Sequence, residues 1–132
     1  MDEYLMSEQL SDFLDFLAAT EEQLHMSTAA CNECELQQRD LEHFLELGTV
    51  NAVQSAKVAK RIREVRKKRR IEKDNIELCT LFVEWMNTHK ESINSLQQLL
   101  GKVRKTEKRL DNRAYAIRTD ILKDIYPNSH LG

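Results

Sequence analysis

The sequence predicts an all-α fold: an elongated, coiled-coil-like antiparallel helical hairpin or three-helix bundle with a short C-terminal helix. Three observations predict it. Only three Gly and one Pro occur in 132 residues, too few for the turn every 8–12 residues or so that a sandwich or barrel requires. Charged residues make up 32% and aromatics 6%, which suits long solvated helices better than an aromatic-rich core. Apolar residues also recur at seven-residue spacing, with companions three residues on. A chain of this length is expected to form one domain, residues 1–132, with a modest core.

The first helix is predicted over about residues 7–47, because nothing there breaks a helix and Gly48 is a natural stop. Leu10, Leu17, Leu24, Cys31 and Leu45 form one row, and Phe13, Cys34 and Leu41 the companion row. Thr20, Ser27 and Gln38 interrupt this seam. Thr20-Glu21-Glu22-Gln23 also reads as a capping box, so a kink or restart at Thr20 is the alternative to an unbroken helix about 60 Å long.

Asn51 is a good N-cap for a second helix over about 51–87. Its seam is Val58, Ile62, Val65, Arg69, Glu72, Ile76, Cys79, Val83 and Met86, charged in the middle. A second stripe, Ile71, Leu78, Phe82 and Trp85, implies that the later half is covered on two sides. A third helix over about 92–112 would supply the cover, folding back near His89 to set Ile93 against Trp85, Leu96 against Phe82 and Leu100 against Leu78. Gly101 inside it costs about 1 kcal/mol against Ala. Residues 113–132 read as a looser tail, with Ile117, Ile121 and Ile125 forming a short stripe that Pro127 stops.

The net charge of −2 conceals a division. Residues 1–50 hold twelve acids and one base, hence −11; residues 51–132 hold ten acids and nineteen bases, hence +9. The core of the basic part is residues 57–74, ten Lys or Arg against three acids. Antiparallel folding about His89 would lay Lys105 and Arg109 beside it, an unfavourable pairing unless something negative crosses both. In a level hairpin about Gly48, Glu33, Glu35, Asp40 and Glu42 face residues 54–63, and residues 66–70 face 25–30, which hold no acid. Compensation within one chain is then incomplete, and a homodimer that brings in a second acidic helix is expected.

Chemistry is not indicated. No nucleotide-binding glycine motif, metalloprotease motif or nucleophile elbow occurs. No catalytic, cofactor-binding or metal-ligating residue is assigned, and no enzyme activity is expected. Cys31-Asn32-Glu33-Cys34 has the spacing of a zinc half-site, but the other half is missing, and both sulfurs fall on the predicted seam. Neither a leader-like start nor an apolar run near 18 residues is present, so no membrane association is expected. Three cysteines without a secretory signal suggest reduced thiols and a cytoplasmic location.

Function therefore rests on surfaces, and the basic run admits three readings: an internally paired or solvated face, a docking surface for an acidic protein, and a nucleic-acid grip. Clustered Lys and Arg suffice for phosphate. Yet no Phe, Trp or Tyr occurs between Phe44 and Phe82 to stack bases. A zipper-type basic region asks for Asn-x-x-Ala-Ala, whereas Asn51 is followed by Gln54 and Ser55. The chemistry favours a protein partner, with Arg63, Arg66, Lys67, Arg70, Lys105 and Arg109 as the contact surface.

"RIREVRKKRRIEKD", "FVEWMNTHKESINSL" and "GKVRKTEKRLDNRAYAIRTDIL", with Arg69, Arg70, Lys73 and Asp74 as the core, lie between residues 61 and 122 and carry a resemblance that covers about residues 41–122. This stretch resembles small helical proteins encoded by temperate phages and prophages of Gram-positive bacteria, a family with no assigned chemistry and hence no functional residues to transfer. The resemblance implies a non-enzymatic phage protein that binds and blocks a host defence or replication protein, a CRISPR nuclease for example. Direct binding of nucleic acid through the same surface is the alternative.

Overall fold

Three α-helices follow one another in the computed structural model, which describes residues 5–125 and the side chains of residues 5–113. They are α1 (Met6–Leu47), α2 (Ala52–Thr88) and α3 (Lys90–Ile125), and no strand occurs among the described residues. None of the described helices is long and apolar enough to cross a membrane. The chain divides into two compact units. One joins the described parts of Met1–Leu14 and Lys90–Gly132; the other is Asp15–His89.

In the second unit α1 and α2 form an antiparallel hairpin. The ring of Phe16 meets that of Phe82 edge-on at 5.3 Å, and nearer the turn Glu35 and Glu42 meet Arg69 and Arg66. Position numbers rise along one helix as they fall along the other. The turn is built from local chemistry. Gly48 donates its N–H to Phe44 O at 3.0 Å. Asn51 then opens α2 with a reciprocal box: its Oδ1 accepts from Gln54 N at 2.8 Å, and its N–H donates to Gln54 Oε1 at 3.2 Å. Two otherwise orphaned donors are satisfied this way.

Gly48 is needed for space rather than for backbone angle, since no glycine among the described residues has positive φ. A Cβ there would stand 2.7 Å from Phe44 O, a fixed backbone atom, whereas a Cβ on Gly101 would meet nothing within 4 Å. Opposite outcomes are expected. Gly48→Ala should destabilise the chain, and Gly101→Ala should stabilise it by up to about 1 kcal/mol. Urea denaturation of both variants checks the pair, and a common sign would refute it.

The α1 seam follows alternating steps of three and four. Leu17, Thr20, Ser27, Cys31 and Cys34 are buried, with Leu24, Gln38, Leu41 and Leu45 half-buried between and beyond them. The unbroken helix is the expectation that holds, and two others change here. The helix runs through Thr20 without a restart, because the Thr20 hydroxyl donates back to Phe16 O at 2.8 Å and stays inside the helix. Ser27, fully enclosed, accepts from Gln23 Nε2 at 2.8 Å. The polar interruptions are thus seam members with partners on their own helix; among the described residues no buried side-chain polar atom lacks one. Phe13 is not in the seam: it is 45% exposed, and Leu14 is half-buried in its place.

On α2 the predicted seam is observed at every position, with Val65 and Cys79 buried and the remainder half-buried. The second stripe stays largely exposed: Ile71 and Leu78 are each 59% exposed, and Phe82 and Trp85, whose rings meet those of Phe16 and His89, each 42%. The apolar row expected to cover it belongs to α3, which is grouped with the first turns of α1 in the other unit.

That first unit is tied by a contact at the start of α1. Ser7, only 6% exposed, donates its backbone N–H to Glu107 Oε2 at 3.2 Å. A carboxylate there satisfies an orphan donor and complements the positive end of the helix. Ile93, Leu96 and Val103 are half-buried and Leu100 is 9% exposed, the three- and four-residue spacing the sequence shows. A single residue, His89, separates α2 from α3, and its N–H donates to Met86 O at 3.2 Å. The third helix is longer than the expected 92–112. It continues to Ile125 in place of a tail with a separate short helix, since no Pro or Gly lies between Gly101 and Pro127 to end it. The side chains of Ile117, Ile121 and Ile125, and the stop at Pro127, lie outside what the structure describes.

Candidate interaction surface

Arg63, Arg66, Lys67 and Arg70 occur at i, i+3, i+4 and i+7 on α2, the spacing that places residues on one helical face. The seam residues Val65 and Glu72 lie on another side, so burial of the seam leaves this face outward. All four are exposed. Lys105 and Arg109 are exposed as well, but on α3. The six predicted contact residues therefore form two sets, four in one unit and two in the other.

Two acids of α1 reach this region. Arg66 Nη2 lies 3.7 Å from Glu42 Oε1, with side chains 60% and 44% exposed. Arg69 Nε donates to Glu35 Oε1 at 3.2 Å, with side chains 35% and 45% exposed. Neither acid was expected opposite residues 66–70. The level register counts Cα positions, but side chains on a helix lean toward its own N-terminus. In an antiparallel hairpin this tilts the acids of α1 away from the turn and the arginines of α2 toward it, so the two sets converge. The result is an open polar cleft lined by Glu35, Gln38, Arg39, Glu42 and Arg69.

Compensation of the run is greater than the level register implies, and still partial. Exposed pairs of this kind contribute about 0–1 kcal/mol. Among the described residues, Arg63, Lys67 and Arg70 make no ion pair. Sequence reasoning missed Arg69 as a paired residue; its half-buried seam position, charged within an apolar row, was the available signal.

The thiols belong to packing. Cys31, Cys34 and Cys79 are free and buried at 6%, 2% and 9% exposure. Cys31 Sγ lies 4.0 Å from Glu35 Oε1 on the next turn. Among the described residues no group of three His, Cys, Asp or Glu side chains is placed to hold a metal ion.

The fold and this surface define an all-α helical-hairpin protein with an exposed basic face. No protein-family model matches the chain, and no curated protein or solved structure matches it.

Proposed function

We propose that the chain is a non-enzymatic, phage-encoded interaction protein that docks on a host protein, such as a defence nuclease, through the basic face of α2. One observation carries the reading: four basic side chains share an exposed face, three without an ion pair among the described residues and the fourth in a solvated 3.7 Å pair. Charges held this way are available to acidic groups of a partner at little cost. They speed encounter and discriminate among partners more than they add affinity. Lys105 and Arg109 extend the basic character to α3.

Nucleic acid is the competing occupant, and it is disfavoured by the lack of any aromatic residue between Phe44 and Phe82 to stack bases. Charge reversal of Arg63, Arg66 and Lys67 to Glu is expected to keep the helical circular-dichroism spectrum. It should abolish a nuclease-resistant complex captured from a Gram-positive host lysate. Wild-type binding to random duplex DNA is expected to be weak even at 50 mM salt. Tight duplex binding that falls about a thousandfold by 200 mM salt, as roughly six phosphate contacts require, would reverse the assignment.

A further inference from the structure

The later half of α2 carries an apolar face that its own hairpin leaves open. Ile71, Leu78 and Trp85 repeat at seven-residue spacing, Phe82 lies four residues beyond Leu78, and Leu81 lies three beyond it. Their exposures are 59%, 59%, 42%, 42% and 63% respectively. The seam positions Val65, Glu72, Cys79 and Val83 occupy a different side, so this face is distinct from the buried seam and touches α1 at its edge, where Phe82 meets Phe16; at its far end Trp85 stacks on His89 at 4.4 Å. From Ile71 to Trp85 it is about 21 Å long.

We propose that this face is the contact between two copies of the chain, with α2 helices antiparallel and Leu78 on the two-fold axis. The spacing is symmetric about that residue: with Leu78 on Leu78, Ile71 of each copy meets Trp85 of the other. A two-fold contact requires this reciprocity. The five side chains leave roughly 500 Å² open per copy, within the range of the largest patch on an ordinary monomer, and pairing that covered all of it on both copies would bury roughly 1,000 Å², the lower bound for a specific interface.

The flanking charges select the same arrangement. Arg70, Glu77 and Glu84 also repeat every seven residues, along one border of the face. An antiparallel copy brings this border against itself. Arg70 then neighbours Glu84 of the second copy at both ends, giving two attractive pairs. Glu77 approaches Glu77 near the axis, giving one repulsive pair, so the dimer forms against a built-in charge penalty. All of these residues belong to the unit Asp15–His89, and the inference does not depend on which partner the basic face binds.

Sedimentation equilibrium of the full chain at tens of micromolar should give twice the 15.5 kDa chain mass. Leu78→Glu should shift the population to monomer with the helical spectrum retained, since Leu78 is already 59% exposed within one chain. Arg70→Glu and Glu84→Arg should each weaken the dimer at least tenfold, and the two together should restore it; Glu77→Gln should tighten it. A wild-type monomer at that concentration, a dimer indifferent to Leu78→Glu, or failure of the charge swap to restore association would each overturn the assignment. The Arg63/Arg66/Lys67 variant leaves Arg70 in place, so loss of partner binding and loss of the dimer are read separately.

Discussion

Replacing Ser27 with Asp is expected to remove several kcal/mol of stability, enough to unfold much of the population at 25 °C. Ser27 is 0% exposed, and its hydroxyl accepts one hydrogen bond, from Gln23 Nε2 at 2.8 Å. A carboxylate at that place gives up its hydration and gains one neutral amide in exchange, far short of what an enclosed charge requires. Total stability for a domain of this size is about 5–15 kcal/mol, so the loss is a large share of it. Ser27→Ala makes the contrast. It deletes one hydrogen bond and leaves only the exposed Gln23 amide, which water can satisfy, so it should cost about 1 kcal/mol or less. Urea titrations followed by circular dichroism distinguish the two. An Asp variant with the wild-type midpoint would mean that α1 and α2 do not close over position 27.

The second large effect is expected from Leu17→Ala, at about 2–5 kcal/mol. Leu17 is 3% exposed and sits on the turn where Phe16 meets Phe82 edge-on at 5.3 Å. Small residues dominate this seam, with Thr20, Ser27, Cys31 and Cys34 following Leu17 among its buried members. A large apolar side chain in such a row contributes a disproportionate share of the buried area, and few neighbours are bulky enough to fill the space it leaves. Phe13→Ala should cost clearly less, because Phe13 is 45% exposed. Equal losses at the two positions would count against the observed seam. Thermal and urea denaturation at matched protein concentration provide the measurement.

Periodicity carried most of the fold. On α2 it named every seam position from Val58 to Met86, including the charged Arg69 and Glu72, because a seven-residue repeat specifies a face whatever occupies it. At the start of α1 the pattern was degenerate: Phe13 and Leu14 are adjacent and both apolar, so spacing alone did not decide between them. In the sequence Thr20 and Ser27 look like weaknesses of the seam because their side chains are polar. Their hydrogen bonds stay within one helix, which makes short hydroxyl side chains acceptable in a narrow seam.

The candidate surface was legible as a charge pattern, since Arg63, Arg66, Lys67 and Arg70 share a face on any helix. Which of its arginines are paired was not. Glu35 and Glu42 reach Arg69 and Arg66 through the lean of side chains in a particular hairpin. The stripe from Ile71 to Trp85 is an apolar face in the sequence, but its exposure depends on what packs against it, which local spacing does not encode.

The capped turn at Gly48 and Asn51 also orders assembly in time. Moving away from it, contacts between α1 and α2 join residues ever farther apart along the chain: 24 for Glu42 and Arg66, 34 for Glu35 and Arg69, 66 for Phe16 and Phe82. Loop-closure entropy rises with that separation when each contact is made alone, but a contact made next to one already formed closes only a few further residues. The hairpin can therefore zip from the turn, with each step preparing the next, as expected of topologies dominated by sequentially nested contacts. Its ends close last and open first. The aromatic contact between Phe16 and Phe82 would then report the completion of folding, while the box between Asn51 and Gln54 marks where it begins.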